Sequence, residues 1–267
     1  SYWRRRIWKV SWGFKYREEK VVIISSKSTV LCTGGAPQLH RINDAPPQVT
    51  GDGYAMGLRA GAELIDMEMI DYVLTTGWPE KLAGYGSNSH IFLPAGGKFL
   101  NANEERFMKR YNPDVSDGIY EKGHRSLVNK SIGIEIFEGR GSGNGCIFFD
   151  VREAIDSVGE RGEKIFRAFK NAGVDLREQP FEVCSCPHTF LGGLKIDEYG
   201  CTTKPRLYAG GESAGGVHGS NRLAGAALAD SFVFGSRAGR SAAKKSKEAG
   251  LPDFQVGSEE EIRVFLE

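Results

Sequence analysis

The stretch that most limits what this chain can fold into is Arg206–Ala243, RLYAGGESAGGVHGSNRLAGAALADSFVFGSRAGRSAA. Its apolar Leu207-Tyr208-Ala209 stops at Gly210-Gly211, and Ala226 to Ala243 carries apolar residues at helical spacing with almost nothing to break them. It therefore reads as a short buried strand, a glycine-rich crossing and one long helix. Glycines let a backbone approach a ligand without a Cβ in the way, and the first-turn N–H groups and dipole of a helix favour a phosphate or another electron-rich group. Two readings share this pattern, a tight strand-to-helix packing turn and a ligand site, and glycine content alone does not separate them.

The order of residues does. Glu212 follows the glycine pair, and Gly215-Gly216, His218, Asn221, Arg222 and a small-residue helix start come after it. This string closely resembles the C-terminal flavin-binding segment of the fumarate reductase and succinate dehydrogenase flavoprotein family, whose pattern reads roughly GE…GGVHGANRLGGN(S/A)L. The resemblance implies that Gly211 and Glu212 hold the flavin nucleotide of FAD, that Arg222 grips a substrate carboxylate, and that the helix start at Ala227-Leu228 lies against the flavin ring. Physics agrees, since a helix N-terminus stabilises the negative charge of a reduced flavin around N1 and O2.

Further upstream, Lys20–Ile24 and Ser28–Cys32 are β-branched runs, and the second ends at Thr33-Gly34-Gly35. A hydrophobic strand stopping there can deliver backbone to a nucleotide at its carboxyl end. The same family has a strand ending in (A/C)TGG followed by TGDG, which Thr50-Gly51-Asp52-Gly53 supplies, and Tyr54 to Ala62 reads as a helix with Asp52 at its cap. The resemblance makes Thr33, Gly34, Gly35 and Asp52 flavin-nucleotide contacts. The sequence holds no G-x-G-x-x-G after an early strand, the pyrophosphate-binding half of a dinucleotide fold. In the family that half precedes the position of Tyr2, so an N-terminal FAD-binding segment or another polypeptide is the expected partner. The implied fold is α/β plus α+β, part of an FAD/NAD(P)-binding Rossmann-like domain (residues 1–62 and 187–267) with an inserted capping domain (63–186).

Within that insert, Glu68–Val73 is similar to the family strand that carries a substrate-binding His followed by Pro-Thr, but the matching residues are Val73-Leu74-Thr75. The family's Thr-Glu pair has no counterpart in Tyr85–Phe92. Lys98–Tyr111 resembles the "N…GERFM.RY" segment and reads as a turn into a charged helix whose charges face solvent. Gly123–Lys130 opens a helix where the family has an Arg-Asp pair. The resemblance gives Arg125 the proton-transfer role, with Ser126 in place of the acid. An arginine is ordinarily protonated and acts as an acid only when a relay reprotonates it. Cys146–Asp150 reads as a strand, Val151–Ala172 as one or two helices and Phe181–Cys186 as a strand. Pro187–Leu194 resembles the family's "HYxMGG" strand-turn, whose His, here His188, donates to a substrate carboxylate or carbonyl. Cys184-Ser185-Cys186 lacks the usual zinc spacing, so no metal is expected.

Lys plus Arg number 35 against 34 Asp plus Glu, which argues against a nucleic-acid partner. No apolar run is long enough to span a bilayer, and the basic, aromatic start SYWRRRIWKVSW reads as paired strands. Five cysteines, an odd number, fit a reducing compartment and a cytoplasmic protein. Glu259–Glu267 is expected to form a short helix beyond a break at Pro252. The resemblance points to the soluble reductase branch, which is expected to lack the long helical C-terminal domain of the dicarboxylate dehydrogenases. The implied activity is FAD-dependent hydride transfer to the double bond of a small unsaturated carboxylic or carbonyl substrate, fed by an electron-transfer subunit. The alternatives are a same-family enzyme acting on a non-dicarboxylate and a non-catalytic subunit with an incomplete flavin site.

Overall fold

In the computed structural model, residues 10–15, 20–115, 118–121 and 123–248 are described. Ser1–Lys9, Pro252 and the acidic Glu259–Glu267 segment lie outside them. In chain order the strands are β1 (Val10–Lys15), β2 (Lys20–Ser25), β3 (Thr29–Leu31), β4 (Leu64–Ile65), β5 (Ile70–Trp78), β6 (Lys98–Leu100), β7 (Ile147–Asp150), β8 (Phe181–Phe190), β9 (Gly193–Lys195), β10 (Leu207–Ala209) and β11 (Ala214–Gly215). The helices are α1 (Asp52–Arg59), α2 (Ser89–Phe92), α3 (Met108–Tyr111), α4 (Arg125–Phe137), α5 (Gly159–Asn171) and α6 (Ala226–Glu248). The chain divides into two compact units, one of Ser1–Gly34, Asp52–Met67 and Gly192–Glu267, the other of Gly35–Gly51 and Glu68–Leu191. The boundaries expected from sequence, at 62/63 and 186/187, each fall five residues earlier, and residues 35–51 group with the second unit.

In the first unit β10 pairs in parallel with β3 (Leu207↔Thr29, Ala209↔Leu31), and β9 lies between β4 and β11. Leu31, Leu207 and Ala209 bury their side chains with Ala62, Leu194 and Ala214. Each large aliphatic side chain so buried contributes about 1.5–3 kcal/mol. The long helix lies directly on the strand end, because a Cβ on Gly210 would stand 2.8 Å from the backbone nitrogen of Gly235 in α6. Lys20–Ile24 pairs antiparallel with β1, Val10↔Ser25 to Lys15↔Lys20, and Thr29–Leu31 pairs with β10.

The second unit is a four-stranded antiparallel sheet, order β5-β8-β7-β6. Phe149 on β7 faces inward between two half-buried neighbours, as the two-residue repeat of a strand requires. Its ring sits 4.8 Å from Phe99 and 5.4 Å from Phe181, which in turn lies 4.5 Å from Phe169 of α5. Glu135 on α4 is fully buried and accepts bonds from Arg140 Nε (2.7 Å), Tyr111 OH (2.8 Å), Arg110 Nη1 (2.9 Å) and Asn101 Nδ2 (3.0 Å). These donors, Arg140 first, hold its carboxyl down at about 2 against the opposing effect of burial. Glu121 is likewise buried and takes Arg106 in a two-pronged pair at 2.9 and 2.7 Å. Most of the charges of Lys98–Tyr111, Glu104, Glu105, Lys109 and Arg110, are exposed, as expected from the sequence. Lys98–Leu100 is a strand, and Arg106 and Arg110 reach from the surface to the buried carboxylates of Glu121 and Glu135.

Candidate functional site

The parallel pair β3–β10 sends two loops off its carboxyl end, and one hydroxyl ties them together. The Thr33 backbone N–H donates to Ser213 Oγ (2.8 Å), and Ser213 Oγ donates to the Gly34 carbonyl (3.2 Å). Gly34 (φ +79°) and Gly211 (φ +63°) both adopt left-handed backbone at this end, a conformation that glycine tolerates best. Helix α1 begins at Asp52 and presses its next residue on the first loop, since a Cβ on Gly53 would stand 1.9 Å from Thr33 Oγ1. Tyr54, one residue on, donates its hydroxyl to the Glu212 carbonyl at 2.7 Å. Burial, and then the charge of Glu212, push this phenol above its ordinary range.

The second loop runs to the start of α6. Ser231, on the second turn of that helix, has its Oγ 3.1 Å from where a Cβ on Gly211 would stand. His218 Nε2 reaches Asp230 Oδ2 at 3.3 Å, and both side chains are nearly buried. Burial raises the Asp230 carboxyl, with the His218 charge opposing. Arg222 is buried, 8% exposed, and its Nη1 donates to the Leu223 carbonyl at 3.3 Å. At the helix start, the Ala226 N–H donates to Leu223 O and the Leu228 N–H to Gly225 O. Leu228 itself is exposed and Ala227 half-buried.

These residues fit a dinucleotide. A Cβ on Gly219 or Gly225 would meet nothing within 4 Å, and one on Gly216 would meet only Ile65 at 3.9 Å, so this turn presents open backbone. The first unit also carries the carboxylates Asp52, at the start of α1, and Glu212, after Gly211, with the carboxyl end of a parallel pair and the start of α6. Among the described residues no group of three or more His, Cys, Asp or Glu is arranged to hold a metal ion.

Gly35, Arg125 and His188 lie in the second unit, whereas Thr33, Gly34, Asp52, Gly211, Glu212, Arg222, Ala227 and Leu228 lie in the first. Arg125 is the first residue of α4, behind His124 at the cap, and its Nη1 donates to Asp71 Oδ2 on β5 at 3.0 Å. His188, near the end of β8, bonds Asp44 Oδ2 through Nδ1 at 2.8 Å. An ionised carboxylate only accepts, so Nδ1 carries the hydrogen and Nε2 is the ring nitrogen left for other partners. Val73 is half-buried opposite Cys186 on the β5–β8 ladder. Sequence reasoning missed Asp44, Asp71, Ser213 and the His218–Asp230 pair. No local signal marks Asp44 or Asp71, whose partners lie 144 and 54 positions away.

Comparison with known proteins gives the family. The family profile FAD_binding_2, described as FAD binding domain, matches residues 10–228. A fumarate reductase (CoM/CoB) subunit from Methanothermobacter marburgensis is 40% identical over 251 residues, which is 93% of this chain and 45% of that protein. An L-aspartate oxidase from Caulobacter vibrioides is 33% identical over 238 residues, 87% of this chain and 44% of that protein. The structure of Mycobacterium smegmatis Sdh1 in complex with UQ1 superimposes with a TM-score of 0.78 at 32% identity, covering 97% of this chain and 42% of that one. The chain thus spans less than half the length of the curated relatives it matches. With the match covering residues 10–228 and the glycine loops built for a dinucleotide, the chain belongs to the FAD_binding_2 family of FAD binding domains.

Proposed function

We propose that this chain is the later part of an FAD-dependent oxidoreductase of the fumarate reductase and succinate dehydrogenase type, acting on a small carboxylic or carbonyl substrate with an activated carbon–carbon double bond. When bound, FAD would supply the hydride through its N5. Thr33, Gly34, Gly35, Asp52, Gly211, Glu212, Ala227 and Leu228 hold the cofactor, and the second unit acts as the capping domain. Arg222 grips a substrate carboxylate with a guanidinium largely removed from water, which strengthens that contact. His188, its Nδ1–H held by Asp44, donates from Nε2 to the carboxylate or carbonyl in its doubly protonated form as negative charge develops. Arg125 supplies the proton to the carbon that does not receive hydride. Asp71 gives Arg125 the acidic partner that Ser126 does not, so a route for its reprotonation exists.

The observation that carries this reading is the pair of carboxylate-supported bases in one unit, Asp71 on Arg125 at 3.0 Å and Asp44 on His188 at 2.8 Å. A second reading, favoured by the apolar Val73 where the family's His would stand, is a substrate with one carboxylate or none. The proposed partners, in the cytoplasm, are the remaining FAD-binding segment and an electron-transfer protein. The test is oxidation of a reduced viologen dye by the FAD-loaded protein, offered fumarate, unsaturated monocarboxylates and enones. Turnover of any of them supports the first reading, and turnover of the monocarboxylates or enones without fumarate supports the second. A flavin-loaded protein that passes no electrons to any of them overturns both.

A further inference from the structure

The second unit also contains two thiols that the proposed reaction does not use. β7 pairs antiparallel with β8 through Phe149↔Phe181, Phe148↔Glu182 and Ile147↔Val183, so the next rung sets Cys146 opposite Cys184. The Cys146 backbone N–H donates to Ser142 Oγ (3.2 Å), and its carbonyl accepts from the Ser142 N–H (2.7 Å). Its backbone is thus turned to Ser142, which makes this a rung without a paired N–H···O bond to Cys184. Such rungs hold their Cα atoms about 4.5 Å apart, inside the roughly 4.4–6.8 Å that a disulfide spans. The sulfurs share one space: a Cβ on Gly77 would stand 2.3 Å from Cys146 Sγ and 3.2 Å from Cys184 Sγ. The Cys146 thiol donates to the Asn144 carbonyl at 3.7 Å.

We propose that Cys146 and Cys184 form a peroxide-responsive dithiol that two-electron oxidation closes into a cross-strand disulfide. The neighbouring Cys146 thiol, with Thr75 and the charge of Arg41, lowers the Cys184 thiol despite burial, whereas Cys146 is pushed up. Cys184 is therefore the nucleophile and Cys146 the resolving thiol. The Cys184 thiolate attacks one oxygen of hydrogen peroxide, the O–O bond breaks, and the departing hydroxide takes a proton and leaves as water. Cys146 sulfur then attacks the resulting sulfenic acid. The S–S bond forms, the S–O bond breaks, and the second water carries away the Cys146 proton. In sum, two thiols and one peroxide give one disulfide and two waters. Cys146 is 1% and Cys184 7% exposed, so a small oxidant reaches them where a bulky disulfide does not. Cys186 is a poorer partner, because two residues along one strand separate Cα atoms by about 6.6 Å, near the outer limit for a disulfide.

The test is limited peroxide treatment of the whole protein, quenching with catalase, denaturation, alkylation and peptide mapping. The proposal expects a mass lower by two hydrogens, loss of two of the five thiols, and one peptide joining Cys146 to Cys184. In Cys146→Ser the sulfenic acid on Cys184 persists and is trapped by dimedone. The wild-type map alone decides the question if that variant does not fold. A link between any other pair, oxygen added to Cys184 with no link, or five thiols retained overturns the proposal.

Discussion

Arg125 and His188 each pair with a carboxylate distant in sequence within the second unit, Asp71 at 3.0 Å and Asp44 at 2.8 Å. Replacing Asp44 with Asn leaves a side chain that can also donate, so the tautomer of His188 is no longer imposed. Asp44→Asn should lower kcat/KM by about 10- to 100-fold with flavin content unchanged, measured by steady-state kinetics against the visible spectrum. Asp71→Asn should slow kcat more than it raises KM, since it acts on proton delivery and not on binding. A solvent isotope effect that grows in this variant checks the assignment. Glu135 gives a pH prediction. Its carboxyl is held at about 2 in the folded chain against about 4.3 when unfolded. A depressed folded value stabilises the protein above the unfolded one, and that contribution is lost as pH falls from about 4.3 towards 2. The loss is at most about 3 kcal/mol. Denaturant unfolding at pH 6 and pH 3 should show it for the native chain and not for Glu135→Gln, which is itself destabilised because Arg110 and Arg140 lose their partner.

Among the elements, glycine means opposite things at different places. Gly210 sits where a Cβ would meet the backbone of α6 at 2.8 Å, whereas Gly133 lies exposed in α4 with nothing within 4 Å of its Cβ position. Gly210→Ala should therefore cost about 1–3 kcal/mol and release bound flavin. Gly133→Ala should stabilise by about 0.4–1 kcal/mol. Chemical denaturation of the two variants, read side by side, tests both signs. The elements legible in the sequence are those whose boundaries are local: Leu207-Tyr208-Ala209 is β10, Arg125 opens α4, and the long helix begins at Ala226 and runs on to Glu248. The sequence suggests a strand over Phe181–Cys186 that stops where Pro187 begins, yet β8 continues through it to Phe190, because Pro187 lies at a register shift beside Asp71/Tyr72 where one ladder bond is not needed. The Lys98–Leu100 strand is not legible because three residues carry no period, and only pairing with Phe148–Asp150 defines it.

Seen whole, the molecule divides its chemistry between two units. The flavin-type loops and Arg222 belong to one and the two supported bases to the other. The FAD-binding family is readable from TGG, TGDG and the GGE…HGSNR string, since each joins glycine turns to a polar or charged residue in a fixed order. The carboxylates behind Arg125 and His188 are not, because long-range pairing leaves no trace in local spacing. No helix among the described residues is long and apolar enough to cross a membrane. The central claim, that a substrate carboxylate held by Arg222 meets a flavin bound on these loops, is tested most directly by reducing the FAD-loaded protein anaerobically and following the return of the flavin's visible bands after an unsaturated carboxylate is added. The account predicts rapid return in the native protein and, with the same flavin content, a rate about 100-fold slower in Arg222→Ala. Equal rates in the two proteins would contradict it.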